Sequence, residues 1–176
     1  PGERLNKVIV KWIKDHYNWS IEPEWIVHAN GVVPSINMAI KAFTSPGDEV
    51  ILQSPVYYPF YSSIKGNGTH VINNQLKLKD GSYYFDFDDL KQKLKDKPRK
   101  SSRAKLLILC SPHNPVGRVW NKDELEELGE ICLNNNITIV SDEIHADFTY
   151  GKEHIPLASI KKDFAQNSLT LMAPSK

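Results

Sequence analysis

Three stretches end in side chains whose types could do chemistry together. "LLILCSPHNP" (106–115) delivers Asn114, "ITIVSDEIH" (137–145) delivers Asp142 and His145, and "SLTLMAPSK" (168–176) ends on Lys176. Each opens with a short apolar run that reads as a buried strand, so an amide, a carboxylate and a primary amine are each presented just past a strand end. Taken singly, they read as a turn residue, a helix cap and a surface lysine. Together they supply an amine that forms an imine with an aldehyde, a carboxylate that keeps a pyridine nitrogen protonated, and a donor beside a phenolate oxygen. Those are the demands of pyridoxal 5′-phosphate.

The loop after Cys110 is stiff. Pro112 and Pro115 fix their own φ and restrict the residues before them, so Asn114, held between His113 and Pro115, is aimed rather than loose. The elements around these loops follow from hydrophobic period. Leu5, Val8, Ile9, Trp12 and Ile13 predict an amphipathic helix over 3–16 with one buried stripe. "EWIVHA" (24–29) reads as a strand, "NGVVPS" as a loop, and Ile36, Ala39, Ile40 and Phe43 as the buried face of a helix. "SPGD" marks a turn into the strand "EVILQ", followed by a helix around 58–65, the strand "THVIN" and an extended excursion through "KDGSYYF". A helix over 87–95 precedes the strand 106–110, and Asn121 with Glu124 three residues on predicts a capping box opening the next helix. "ITIVS" and "SLTLM" complete the strands.

Strands alternating with helices predict an α/β fold, a three-layer α/β/α sandwich around a mostly parallel sheet. Ligands of such sheets gather beyond the carboxyl ends of the strands, where Asn114, Asp142 and Lys176 are expected to meet.

The bulk numbers exclude several classes. With 22 Lys+Arg against 21 Asp+Glu the net charge is +1, and the one basic run, 91–105, reads as the solvated face and exit of a helix. Nothing points to nucleic acid or a membrane surface. No segment has the apolar length of a membrane span, and no signal-peptide pattern opens the chain, whose first residue is Pro1. Cys110 and Cys132 sit among apolar neighbours and are expected as buried thiols of a cytoplasmic protein. His28, His113 and His154 are expected to be structural, with no metal-ligand spacing among them.

"GVVPSINMAIKAFTSPGDEVILQSPVYYPFY", "LLILCSPHNPVGRVWNKDEL", "VSDEIHADF" and "MAPSK" resemble the fold-type I enzymes of the class I/II aminotransferase superfamily. Within it the chain is most similar to the MalY/PatB-type cystathionine β-lyase branch, to which "GVVP", "SPHNPVGRVW" and "SDEIH" point. The resemblance runs from about Trp25 to Lys176. It implies pyridoxal 5′-phosphate as cofactor, Lys176 as its Schiff-base lysine, Asp142 as partner of the pyridine nitrogen and Asn114 near O3′. Tyr57 matches the ring-stacking aromatic, with Tyr58 as the substitute. Val32 and Val33 match the loop whose backbone N–H groups hold the phosphate, with Ser175 adding a hydroxyl. Read from its residues alone, Gly31 to Pro34 is equally a tight turn into a helix. Aminotransferases usually carry a tyrosine where this chain has His145, a departure that agrees with the lyase branch and brings His145 towards the cofactor.

The resemblance further implies α,β-elimination on an L-cysteine S-conjugate such as cystathionine, giving a thiol, pyruvate and ammonia, and a homodimer acting on a small amino acid. The chain is then expected to be part of a large cofactor domain, with a helix at 3–16 and a core at 24–176, whose remainder and small domain lie outside it. An aminotransferase is the nearest alternative, and an aminotransferase-like ligand-sensing domain is the second. A nucleotide-binding Rossmann protein ranks last, because no G-x-G-x-x-G follows a strand.

Overall fold

The computed structural model describes residues 2–95 and 104–175. Five parallel strands form the central sheet: β1 (Glu49–Leu52), β2 (His70–Asn73), β5 (Ala104–Cys110), β6 (Thr138–Asp142) and β7 (Ser168–Leu171), in the order β2-β1-β5-β6-β7. A second, antiparallel pair, β3 (Lys77–Lys79) and β4 (Ser82–Tyr84), is the excursion expected through "KDGSYYF".

The central strands are nearly continuous apolar runs, as a sheet covered on both faces requires. Alternation sends Val50, Leu52, Leu106, Ile108, Cys110 and Val140 to one face, where they pack with Val32, Ile36, Ala39 and Ile40 of α2 (Val32–Phe43) and with Phe60 and Ile64 of α3 (Pro59–Gly66). Ile51, Leu107, Leu109 and Ile139 go to the other face, against Leu90 of α4 (Phe87–Lys95) and Leu125, Leu128 and Cys132 of α5 (Lys122–Asn134). The three layers expected from the alternation of elements are therefore present.

α5 starts as its sequence predicts. The Asn121 side chain accepts from the Glu124 N–H and the Glu124 carboxylate accepts from the Asn121 N–H, each at 2.9 Å. Cys110 and Cys132 are free and buried. Lys91 and Lys93 of the basic run pair with Glu127 and Asp89, as on a solvated helix face; 96–103 of that run lie outside the described residues.

Four expectations need correction. "EWIVHA" is not a strand. Pro23–Trp25 form a single 3-10 turn, a proline opening it, and Trp25 and Val27 are 60% and 87% exposed, with no strand paired to them among the described residues. "NGVVPS" is only half a loop, because α2 already begins at Val32. The stripe on α1 (Glu3–Tyr17) buries only Ile13; Leu5, Val8 and Trp12 are about half exposed, as is Phe43 of α2. Finally, α6 (Leu157–Ile160) and α7 (Lys162–Gln166) fill the stretch between β6 and β7, where no element was expected; both are too short for a helical period to register.

Candidate active site

The ladder aligns Cys110 with Asp142 and Asp142 with Leu171, so β5, β6 and β7 end together and their following loops leave from one rim. Neighbouring strands lie ~4.8 Å apart, which places the loops of β1, β5, β6 and β7 side by side along ~15 Å of sheet edge. α2 joins them. Its last turn precedes the amino end of β1, so its first turn lies at the opposite, carboxyl end, and Val32 packs in the same cluster as Cys110 and Val140.

Asp142 shares the parity of Val140 and so points to the α2 face. It is 5% exposed, and among the described residues its carboxylate accepts one hydrogen bond, from the Ile144 N–H at 3.2 Å. Burial, assisted by the charge of Glu143, pushes its pKa up to about 6. A carboxylate so poorly solvated gains most from a cationic N–H placed against it.

Asn114 is half-buried one strand away. Its N–H donates to Cys110 Sγ at 3.2 Å, and no described residue engages its side-chain amide. At α2, Gly31 adopts φ 122°, a region that strains any residue with a Cβ, and its carbonyl accepts from both the N–H and the hydroxyl of Ser35. The N–H groups of Val32 and Val33, as first-turn amides, have no acceptor within the helix and point outward at its positive end. Tyr57, 37% exposed, lies on the loop after β1 with its ring edge-on to Phe60; Tyr58, 77% exposed, takes the N-cap position of α3. His145 is half-buried in the turn after β6, its ring 6.5 Å from that of Phe148. Ser175 is exposed four residues beyond β7. Lys176, the expected imine-forming amine, lies outside the described residues.

A sequence model described as aminotransferase class I and II matches residues 3–173. The chain belongs to that family. Among class I/II relatives it is 46% identical, over its whole length, to cystathionine beta-lyase PatB of Bacillus subtilis, of which it covers 44%. The structure superposes on cystalysin from Treponema denticola, which contains a pyridoxal 5′-phosphate cofactor, with a TM-score of 0.93 and 44% identity over 99% of this chain and 43% of that one. It superposes on the PLP-bound C-S lyase of Staphylococcus hominis with a TM-score of 0.92 and 32% identity over 100% of this chain and 44% of that one. The chain thus spans less than half the length of these class I/II proteins.

Of two further residues near the rim, Glu143 escaped sequence reasoning, and His113 was expected to be structural without its partner being named. Glu143, fully buried on the face opposite Asp142, accepts from the Ser141 hydroxyl at 2.7 Å, from His154 Nε2 at 2.8 Å and from the Leu157 N–H at 3.2 Å. It closes the excursion from 144 to 156 at its base. His113 is 2% exposed and reaches across to the loop after β1. Both stand beside residues that were singled out, but His154 lies 11 positions from Glu143 and Pro55 lies 58 from His113, distances no local pattern reports.

Proposed function

We propose that the protein containing this chain is a pyridoxal 5′-phosphate-dependent carbon–sulfur lyase of the cystathionine β-lyase type, and that residues 1–176 are part of its cofactor-binding large domain. The observation that carries this reading is Asp142, a buried carboxylate at the sheet rim, flanked by the Asn114 loop and facing the amino end of α2. The donor set fits the cofactor. The Val32 and Val33 N–H groups with the Ser175 hydroxyl suit a phosphate, the Tyr57 ring suits stacking, Asn114 suits a phenolate oxygen with His145 nearby, and Asp142 suits a protonated pyridine nitrogen. Bound there, pyridoxal 5′-phosphate supplies an aldehyde conjugated to an electron-accepting ring. Asp142 would hold the ring nitrogen's proton in place, and its buried negative charge would keep that proton from leaving. Lys176 would anchor the cofactor through its amine and would serve as the base that takes the proton from the substrate's Cα. From an L-cysteine S-conjugate the products would be a thiol, pyruvate and ammonia.

The 46% identity to cystathionine beta-lyase PatB supports elimination over amino-group transfer. Two buried free thiols suit the reducing cytoplasm, and a homodimer is the assembly that the family resemblance implies. The test uses full-length protein given L-cystathionine. Pyruvate and homocysteine should appear without any keto acid, and borohydride should fix the cofactor to Lys176. Activity that waits for a keto acid and returns the matching amino acid would assign an aminotransferase instead, and an adduct mapped to another lysine would remove Lys176 from its role.

A further inference from the structure

We propose that His113 is a positioning residue that ties the Tyr57 loop to the Asn114 loop across the mouth of the site. The inference rests on the cofactor reading above, since those loops carry two of its contacts. β1 is followed by α3 on one face of the sheet, and β5 by α5 on the other, so the chain departs in opposite senses from these adjacent strands. That reversal opens the crevice in which ligands of open α/β sheets sit. His113 spans it. Its Nε2 lies 2.9 Å from the Pro55 carbonyl oxygen, two residues before Tyr57, while its own backbone immediately precedes Asn114. Among the described residues this is the side-chain hydrogen bond that joins the two loops.

His113 is held through both its backbone and its ring. Its backbone N–H donates to the Arg118 carbonyl and its backbone carbonyl accepts from the Gly117 N–H, both at 2.8 Å, so the chain is folded into a tight turn. Its ring meets the Trp120 ring edge-on at 5.5 Å, and Trp120 in turn donates from Nε1 to the Cys110 carbonyl at 2.9 Å. A carbonyl only accepts, so Nε2 carries the proton. Burial lowers the ring's pKa, which keeps it neutral, and Nδ1 makes no well-formed hydrogen bond among the described residues. The bond that fixes the ring across the crevice is the one to Pro55. Displacing Pro55 by a fraction of an ångström would carry Tyr57 with it, away from the Asn114 loop across the crevice.

The test compares His113→Gln with His113→Asn in full-length protein. Both bury a neutral amide, but glutamine carries an N–H at the reach of Nε2, whereas asparagine reaches only as far as Nδ1. His113→Gln should bind pyridoxal 5′-phosphate within threefold of the parent, and His113→Asn at least tenfold more weakly. In the cofactor-free proteins, amide hydrogen exchange at Val56 and Tyr57 should quicken at least tenfold in His113→Asn and stay near parental in His113→Gln. Equal behaviour of the two variants in both measurements, whether intact, weakened or unfolded, would show that the ring merely fills space and would overturn the proposal. If the parent itself failed to bind pyridoxal 5′-phosphate, the cofactor reading would fall, and the exchange comparison alone would decide whether His113 ties the loops.

Discussion

Asp142 and Glu143 are adjacent, yet the period of two in an extended chain turns them to opposite faces and gives them different work. Glu143 is saturated with donors on the α5 side and fastens the excursion that follows; among the described residues the Asp142 carboxylate takes a single donor, on the α2 side. An undersolvated charge is useful only if a cation comes to meet it. Asp142→Asn keeps shape and size while removing the charge, so we expect elimination by the full-length enzyme to fall ~100-fold or more, as when a buried electrostatic partner of the reaction is lost. Cofactor should remain bound, seen as a retained visible absorption band. A rate within a few-fold of the parent would mean that ring protonation does not depend on Asp142. Asn114 and Asp142 were legible because each directly follows a strand that its own apolar run reveals. Glu143 was not, and of His113 only a structural role was, because burial and a remote partner make each important and neither is written in its neighbours.

At the scale of elements, sequence patterns were reliable where a segment's period matched its surroundings. α4, α5 and the central strands follow their apolar repeats, and the capping box of α5 is complete. Amphipathicity reports which face of α1 is apolar but not whether anything in this chain covers it, which is why only Ile13 is buried there. "EWIVHA" carries strand-forming residues without a neighbour to pair with, so its propensity goes unused. Gly129, inside α5, is a feature no pattern explained. A Cβ there would lie 2.7 Å from two ring carbons of Phe164 in α7, which is itself 1% exposed. Alanine would improve helix propensity by ~1 kcal/mol, but overpacking a closed core costs ~1–3 kcal/mol. Because the ring is itself buried, we expect the clash to win: Gly129→Ala should lower the urea midpoint, corresponding to a loss of ~1 kcal/mol, and Gly129→Ala combined with Phe164→Leu should recover part of it. An unchanged or raised midpoint in the single variant would mean that α7 can shift outward at little cost.

For the whole molecule, the site and the fold are linked through protons. In the cofactor-free protein the folded pKa of Asp142 is about 6, against an ordinary 3.8. Between those values the folded state binds the proton that the unfolded chain has released, so this group makes stability fall as pH rises, by ~3 kcal/mol at most once both states are ionised. Asp86, whose pKa the Lys77 ammonium and the Asp89 N–H help to lower, contributes the opposite slope, confined below its ordinary 3.8. Burial lowers the pKa of His113, which also opposes Asp142, because protonating the unfolded chain below 6.5 destabilises the fold. Stability of the parent alone therefore mixes signs, and the difference between parent and Asp142→Asn isolates the carboxylate. By denaturant titration of cofactor-free full-length protein, Asp142→Asn should be the more stable form at pH 7, and its advantage should shrink steadily as the pH falls from about 6 through 3.8. Adding pyridoxal 5′-phosphate should invert the comparison at pH 7, because a cation against Asp142 draws its pKa down and turns a buried liability into a bound pair. Parallel pH curves for the two proteins without cofactor would show that Asp142 is better solvated than its burial implies and needs no cation to meet it.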